Sequence, residues 1–192
     1  PPLLDSNSPL RTSHLRDPVG PEIHWGSEQF IDEIAAMLGE DPVAFRLKYL
    51  TNPRHAAVVR LVAEKAGWQA RPSPVRERSG NLLRGRGTSV ATIAEVEVNR
   101  ATGRIWARKF WVAHDAGQII NPQGIRYTVE GNVVQGLSRT LFEEVKFDRR
   151  QVTSTDWAGY PILDVKDAPE SIEVALIDHP GVPPSGAGEP SI

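Results

Sequence analysis

Two pairs of adjacent residues, His114-Asp115 and Ser13-His14, have side chains of the types that take part in proton transfer or nucleophilic catalysis. His114 and Asp115 stand together at the end of a predicted strand, where a carboxylate beside an imidazole could transfer a proton. The alternative, which we favour, makes Asp115 a turn residue and His114 a hydrogen-bonded structural partner. Ser13 and His14 do not indicate a hydrolase, because the members of a catalytic triad meet in space rather than in sequence.

A glutamate that follows a glycine-rich turn near the carboxyl end is another candidate. Residues 183–190 read Pro-Pro-Ser-Gly-Ala-Gly-Glu-Pro and place Glu189 directly after Gly188. This is not a dinucleotide-binding fingerprint, because the third glycine and an acidic residue about 20 positions later are missing. On the residues alone, a surface turn with an exposed glutamate is the alternative to a catalytic carboxylate.

A long helix is predicted after the turn at Asn121-Pro122. Its inner face is predicted to contain Val129, Val133, Gly136, Leu137 and Thr140. Gly131 and Gly136 both lie inside this helix, where glycine costs about 1 kcal/mol relative to alanine. Two such glycines indicate that another helix or a bound ligand approaches the backbone closely, and the sequence leaves both readings open.

Three further helices are predicted upstream, after an irregular loop over residues 1–26. The first covers residues 27–39, with Ser27 as its N-cap and Gly39 at its end. Its buried stripe is predicted to contain Phe30, Ile31, Ile34, Met37 and Leu38. The other two follow Asp41-Pro42 and Asn52-Pro53, where an N-cap residue precedes a proline in the first turn.

Residues 69–88 are predicted to form a loop with five arginines and one glutamate, a local net charge of +4. That charge could meet the phosphates of a cofactor or the acidic surface of a partner, whereas a solvated surface is the more usual meaning of such a run.

Strands are predicted on the carboxyl-terminal side of this loop. Residues 89–98 and 104–113 form a hairpin around a turn that ends at Gly103, and residues 171–177 form a further strand. One face of that last strand is predicted to contain Ile172, Val174 and Leu176. The chain is therefore predicted to be an α+β protein of helices and antiparallel strands.

Composition narrows the range of functions. The net charge of −2 over 192 residues gives no electrostatic reason to expect nucleic acid as a partner. No apolar run reaches the roughly 18 residues that a membrane span requires. Cysteine is absent, which excludes thiolate zinc sites and cysteine-ligated iron–sulfur clusters within this chain.

Residues 121–137 carry the succession Asn-Pro-x-Gly, x-Val-Glu-Gly-x-x-x-Gln-Gly-Leu. This succession resembles the large subunit of the molybdenum hydroxylases, the xanthine dehydrogenase and aldehyde oxidase family. Within the family it is most similar to the bacterial isoquinoline and nicotinate oxidoreductase type. The Gly-x-Gly-Glu-Pro run at residues 186–190 resembles a loop of the same family. The likeness covers most of the chain, which looks like the C-terminal part of such a subunit.

The resemblance implies a role for particular residues. Glu189 would lie beside the molybdenum as the general base. The implied cofactor contacts are Arg16, Thr128, Gly131, Gln135 and Gly188, and no residue is implied as a metal ligand. Thr128 departs from the family pattern, in which glutamine is common at this position and has a longer reach. The implied organisation is a loop and helical segment at 1–68, the Arg-rich loop at 69–88 and an incomplete molybdopterin-binding α+β segment at 89–192.

The implied reaction adds a water-derived oxygen to an electron-poor carbon of a nitrogen heterocycle or an aldehyde. The implied cofactor is molybdenum–molybdopterin, in its cytosine dinucleotide form. Iron–sulfur clusters would belong to a small partner subunit, since this chain has no cysteine. We expect a cytoplasmic protein, with the periplasm as the alternative location.

The chain lacks further cofactor-binding stretches of the family, including a Gly-Gln-Gly segment. We therefore expect the isolated polypeptide to hold no cofactor and to be inactive. A non-catalytic α+β binding or assembly module, with residues 69–88 docked on an acidic partner, is the alternative from another class.

Overall fold

A five-stranded sheet forms the centre of the fold and has a helix packed on each face. The computed structural model describes residues 20–72, 77–89 and 91–188. The helices are α1 (Gly20–Leu38), α2 (Pro42–Tyr49), α3 (Pro53–Lys65) and α4 (Pro122–Leu141), with a short 3-10 turn at Val165–Asp167. The strands are β1 (Glu77–Ser79), β2 (Leu82–Ser89), β3 (Thr92–Asn99), β4 (Ile105–Asp115) and β5 (Ser171–Ile177).

The strands lie in the sheet in the order of the sequence, β1-β2-β3-β4-β5. β1 to β4 are joined as antiparallel neighbours, whereas β5 pairs with β4 in parallel. The α+β class is confirmed. The expectation of antiparallel strands fails for β5, because α4 carries the chain back across the sheet before β5 begins.

Alternate residues of β4 contribute to two cores, because successive side chains of a strand point to opposite faces. The core on the α3 side contains Val58, Val62, Ile93, Trp111 and Ala113. The core on the α4 side contains Val112, Val129, Val133 and Val174. The predicted apolar face of β5 is confirmed, since Ile172 and Leu176 also pack against this second core.

Local capping interactions confirm where α2, α3 and α4 begin. Asp41, Asn52 and Asn121 each accept a hydrogen bond from a backbone N–H of the first turn, at 2.8 to 2.9 Å. A proline follows each of these caps. Gly39 follows α1 with a φ of +68°, as expected for a glycine that ends a helix.

The predicted start of α1 is wrong. The helix begins at Gly20 rather than at residue 27, and part of the predicted loop is therefore helical. Ser27 lies inside the helix, where its hydroxyl donates to the carbonyl of His24 at 3.1 Å. Serine forms this local bond within a helix as well as at an N-cap, so the residue type alone did not fix the boundary.

The predicted buried stripe of α1 is also wrong at three positions. Phe30 is 62% exposed, Met37 is 86% exposed and Leu38 is 59% exposed. Only Gly20 and Ala35 of α1 are buried among the described residues. α1 packs mainly on α2, so that its apolar stripe has no sheet beneath it.

Most of the predicted Arg-rich loop is a hairpin of β1 and β2. In the register between β2 and β3, Arg84 lies opposite Glu97 and Arg86 lies opposite Glu95. Each pair has a nitrogen–oxygen distance of 2.8 Å. Cross-strand pairs of opposite charge stabilise a sheet, and here they neutralise part of the charge that the sequence displays.

Candidate functional site

α4 presents two adjacent stripes, one apolar and one polar. Val129, Val133 and Leu137 are buried, as predicted, whereas Thr140 is exposed. The second stripe contains Thr128, Gly131, Asn132 and Gln135, in which Thr128 is three and four residues before Gly131 and Asn132, and Gln135 is four and three residues after them. The predicted site residues of the helix therefore lie together along one side of it.

Residues 182–188 return to the end of β4. The N–H of Ser185 donates to the carbonyl of Ala116 at 2.8 Å. Gly117 has a φ of +76°, and a Cβ built there would lie 2.4 Å from the carbonyl oxygen of Pro183. Only glycine fits this approach, which holds the returning segment against the strand end.

Asn132 joins this segment to α4. Its Nδ2 donates to the carbonyl of Ala187 at 3.2 Å and to the carbonyl of Gly188 at 3.1 Å. The residue is 1% exposed. Asn132 was not among the predicted site residues, although asparagine inside a long helix is a signal, because it is a poor helix former unless its amide has a specific partner.

The predicted site residues of the described chain have the following positions. The Thr128 hydroxyl donates to the carbonyl of Gly124 at 2.9 Å, one turn back along the helix. Gly131 is exposed, and no described atom lies within 4 Å of a Cβ built there. Gln135 is half-buried, and Gly188 is held at its carbonyl by Asn132. Arg16 and Glu189 lie outside the described residues.

Asp115 is an ion-pair partner rather than a proton donor. The Arg54 guanidinium donates to both of its oxygens, at 2.5 and 2.9 Å, and the Gly117 N–H donates at 3.0 Å. Nε2 of His179 lies 3.2 Å away. The Arg54 guanidinium, and after it the Gly117 N–H, holds the pKa of Asp115 at about 2. The favoured prediction of a turn aspartate is therefore incomplete. Asp115 does accept a hydrogen bond within the turn, from Gly117, but it also forms an ion pair with Arg54.

His114 was predicted to be hydrogen-bonded, and this is wrong. Its Nε2 is buried without a hydrogen-bond partner among the described residues. Burial lowers the pKa of His114 below its ordinary value, and the charge of Asp115 opposes this only in part. The imidazole is therefore held in its neutral form, beside a carboxylate that is already committed to Arg54.

Neither a metal site nor a membrane span is found in the part of the chain that the structure describes. Within residues 20–72, 77–89 and 91–188, no group of three or more His, Asp or Glu side chains is placed to hold a metal ion. No helix of the described chain combines the length and the apolar character needed to cross a membrane.

The family of the chain follows from comparison with known proteins. A family model described as the molybdopterin cofactor-binding domain matches residues 34–169, which is more than half of the chain. The chain belongs to this family. The resemblance to the large subunit of the molybdenum hydroxylases is confirmed.

Two relatives are similar over almost the whole chain. One of the subunits of nicotinate dehydrogenase from Pseudomonas putida is 36% identical over 204 residues, which cover 97% of this chain and 17% of the relative. The beta subunit of isoquinoline 1-oxidoreductase from Brevundimonas diminuta is 31% identical over 185 residues, which cover 91% of this chain and 23% of the relative. The chain spans about a fifth of the length of these relatives.

A solved structure is similar over a shorter part. Quinoline 2-oxidoreductase from Pseudomonas putida 86 is 29% identical, with a TM-score of 0.47, and the match covers 55% of this chain and 14% of that one.

Proposed function

We propose that the chain is part of the cofactor-binding subunit of a molybdenum-dependent oxidoreductase acting on nitrogen heterocycles or aldehydes. The names of its relatives support this class of substrate, since they include a nicotinate and an isoquinoline enzyme. In the proposed reaction a carbon-bound hydrogen is replaced by a hydroxyl whose oxygen comes from water. Two electrons and two protons are released.

Glycines with open space around them support a cofactor-binding surface on α4 and the returning segment. Gly131, Gly186 and Gly188 all have open space where a Cβ would lie, so that a ligand can approach the backbone of both α4 and the returning segment. Gln135 and Thr128 lie on the same side of α4. We assign the cofactor contacts to this surface and to Arg16, and propose molybdopterin in its cytosine dinucleotide form. The bound cofactor would accept the two electrons of the oxidation.

Thr128 is the weakest member of this set. Its hydroxyl proton is already donated to the carbonyl of Gly124, so that only its lone pairs are offered to a ligand. Gln135 is proposed as the main polar contact of this helix, because its half-buried amide carries two donor hydrogens and an acceptor on a longer side chain.

Glu189 is the proposed general base, and the hydrogen bonds of Asn132 are the observation that carries this assignment. They place the two residues before Glu189 beside the polar stripe of α4. A carboxylate removed from bulk water has a raised pKa, which suits it to take a proton from the attacking oxygen near neutral pH.

This chain has no cysteine and so cannot ligate an iron–sulfur cluster through cysteine. The electrons of the proposed reaction must therefore pass to groups that are bound elsewhere. We propose iron–sulfur clusters on a small partner subunit as the next carriers. A cytoplasmic location, with the periplasm as the alternative, is part of the same proposal.

The binding-module alternative depends on a free basic surface in residues 69–88. Arg84 and Arg86 are instead paired with glutamates of β3, which reduces the charge available to an acidic partner. The arrangement of these residues therefore favours the enzyme.

The test is Glu189→Gln in the holoenzyme. We expect turnover per bound molybdenum to fall by about three orders of magnitude or more, because the amide cannot accept the proton. Molybdenum content, measured by elemental analysis, should stay near that of the wild type.

Glu144→Gln is the matched control, since the Glu144 side chain is 73% exposed and lies outside the proposed site. This variant should turn over like the wild type. Wild-type turnover by Glu189→Gln would instead support the binding module.

A further inference from the structure

We propose that Asn132 is a positioning residue, whose buried amide fixes the direction in which the chain continues into Glu189. This inference rests on the proposed function, since it assigns Asn132 a task only if Glu189 is the base.

The contact with Gly188 carries the argument. The Gly188 carbonyl belongs to the peptide unit that links it to Glu189, and a peptide unit is planar. A hydrogen bond to this carbonyl oxygen therefore restrains the peptide unit through which the chain continues to Glu189. Asn132 holds that oxygen at 3.1 Å and the preceding carbonyl, of Ala187, at 3.2 Å.

The segment needs such an anchor because of its own sequence. Ser185 is attached to Ala116 through both its N–H and its hydroxyl. Between Ser185 and Glu189 the chain runs through two glycines, Gly186 and Gly188, which restrict the backbone least. Without a second anchor, the fixed point at Ser185 would not determine where the carboxylate lies.

The position of Asn132 makes it a firm anchor. The side chain is 1% exposed on a helix whose neighbouring stripe is buried in the α4 core. A buried amide is costly to leave without hydrogen bonds, so that its bonds to the two carbonyls are strongly maintained. The helix thus supports the returning segment on a rigid element.

The main variant is Asn132→Asp in the holoenzyme, which keeps the size of the side chain and removes its N–H donors. We expect kcat per bound molybdenum to fall about 10- to 100-fold, the range typical of a misplaced catalytic group. KM should change less than about threefold, because the substrate contacts are not altered. The acidic limb of the pH profile of kcat should shift, because the Glu189 carboxylate then samples other surroundings.

Two companion variants separate positioning from other roles. Asn132→Ser keeps one donor and should lose less activity than Asn132→Asp, which provides a result even if Asn132→Asp does not accumulate. In Glu189→Gln, adding Asn132→Asp should cause no further loss of kcat, since the base to be positioned is already gone.

Ser138→Ala is the matched control. Ser138 is also buried on α4, and its hydroxyl bonds Glu143 and the N–H of Leu163 instead of the returning segment. This variant should lower the melting temperature without changing kcat per molybdenum or its pH profile.

The outcomes are distinct. Wild-type kcat and pH profile in Asn132→Asp, or in Asn132→Ser if only that variant accumulates, would overturn the inference. Lower molybdenum content with unchanged kcat per molybdenum would also overturn it, because Asn132 would then serve assembly alone. Retained activity in Glu189→Gln would instead overturn the proposed function itself.

Discussion

Asp115, the last residue of β4, gathers contacts from three other places in the chain. Arg54 of α3, the backbone of Gly117 and His179 all lie against its carboxylate. The Asp115 side chain is only 7% exposed, whereas that of Arg54 is 40% exposed, so that water screens this pair only in part. The carboxylate therefore joins α3, the turn after β4 and the turn after β5 in one charged cluster.

Asp115→Asn tests the contribution of this cluster to stability. The pKa of Asp115 is about 2 in the folded protein against an ordinary 3.8. A lowered pKa adds stability above the ordinary value, and this contribution disappears as the pH falls through about 2. We expect the variant to lose on the order of 2 kcal/mol in its free energy of unfolding at pH 7. The difference from the wild type should narrow between about pH 4 and pH 2 in urea titrations.

Glu40→Gln is the control for that measurement. Glu40 pairs with Lys48, whose side chain is 52% exposed, and solvent-exposed pairs add little to stability. The control should show a much smaller loss at pH 7. An unfolding free energy of Asp115→Asn equal to that of the wild type at pH 7 would contradict the charged cluster.

At the residue scale, Gly131, Gln135 and Gly188 were predicted from the sequence as cofactor contacts, whereas Asn132, which bonds Gly188, was not singled out. Asn132 bonds residues 55 and 56 positions away, and no local pattern records such a distance. The prediction for His114 was wrong for a related reason. Whether a buried nitrogen has a hydrogen-bond partner depends on how separate elements pack together.

At the element scale, α1 is held by charge more than by apolar burial. Arg46 of α2 is 4% exposed, and its guanidinium donates to Glu28 at 2.7 and 3.0 Å and to Asp32 at 2.6 Å. It also donates to the carbonyl of Pro42 at 3.1 Å. Since α1 buries few apolar residues in the described chain, these hydrogen bonds fix its position on α2.

Arg46→Met tests this attachment. The apolar part of the side chain is kept, while Glu28 and Asp32 lose their cationic partner, a change that costs on the order of 2–3 kcal/mol for charged hydrogen bonds. We expect the amide protons of α1 to exchange with solvent at least about tenfold faster. The amides of β3 and β4 should keep their protection, because α1 does not support the sheet.

Lys48→Met is the control on the same helix, since Lys48 pairs with Glu40 beyond the end of α1. Hydrogen exchange in α1 should match the wild type in this variant. If Arg46→Met left α1 fully protected as well, the apolar contacts alone would be sufficient to hold the helix.

The elements that the sequence predicted well are those with local signals. The caps of α2, α3 and α4 depend on residues within three positions of one another, and all three are confirmed. The exposed stripe of α1 and the strands in residues 77–89 were missed because their state depends on distant partners. Arg84 and Arg86 meet their glutamates only once β2 pairs with β3.

At the scale of the whole molecule, the open space at Gly131 and the greater length of the relatives both support a surface of α4 that a further group covers. The chain corresponds to about a fifth of the length of its relatives, and Gly131 of α4 is exposed in the described part of the chain. No described atom lies close enough to Gly131 to require a glycine there, so that the cost of this glycine in the helix is not explained by packing within the described chain. Under the proposed function, the bound cofactor provides that contact.

Gly131→Ala tests whether a ligand lies against α4, because its effect should differ between the 192-residue chain alone and the holoenzyme. In the 192-residue chain, the added methyl meets no described atom within 4 Å and restricts the unfolded backbone, so the free energy of unfolding should rise by about 0.5–1 kcal/mol. In the holoenzyme, the same methyl should lower molybdenum content or turnover at least about tenfold, because it fills space next to the proposed cofactor surface. Gly26→Ala is the matched control, since Gly26 is also inside a helix and open at its Cβ position, and it should stabilise the chain without affecting molybdenum content. A Gly131→Ala holoenzyme with wild-type molybdenum content and turnover would show that no ligand approaches α4 at this point.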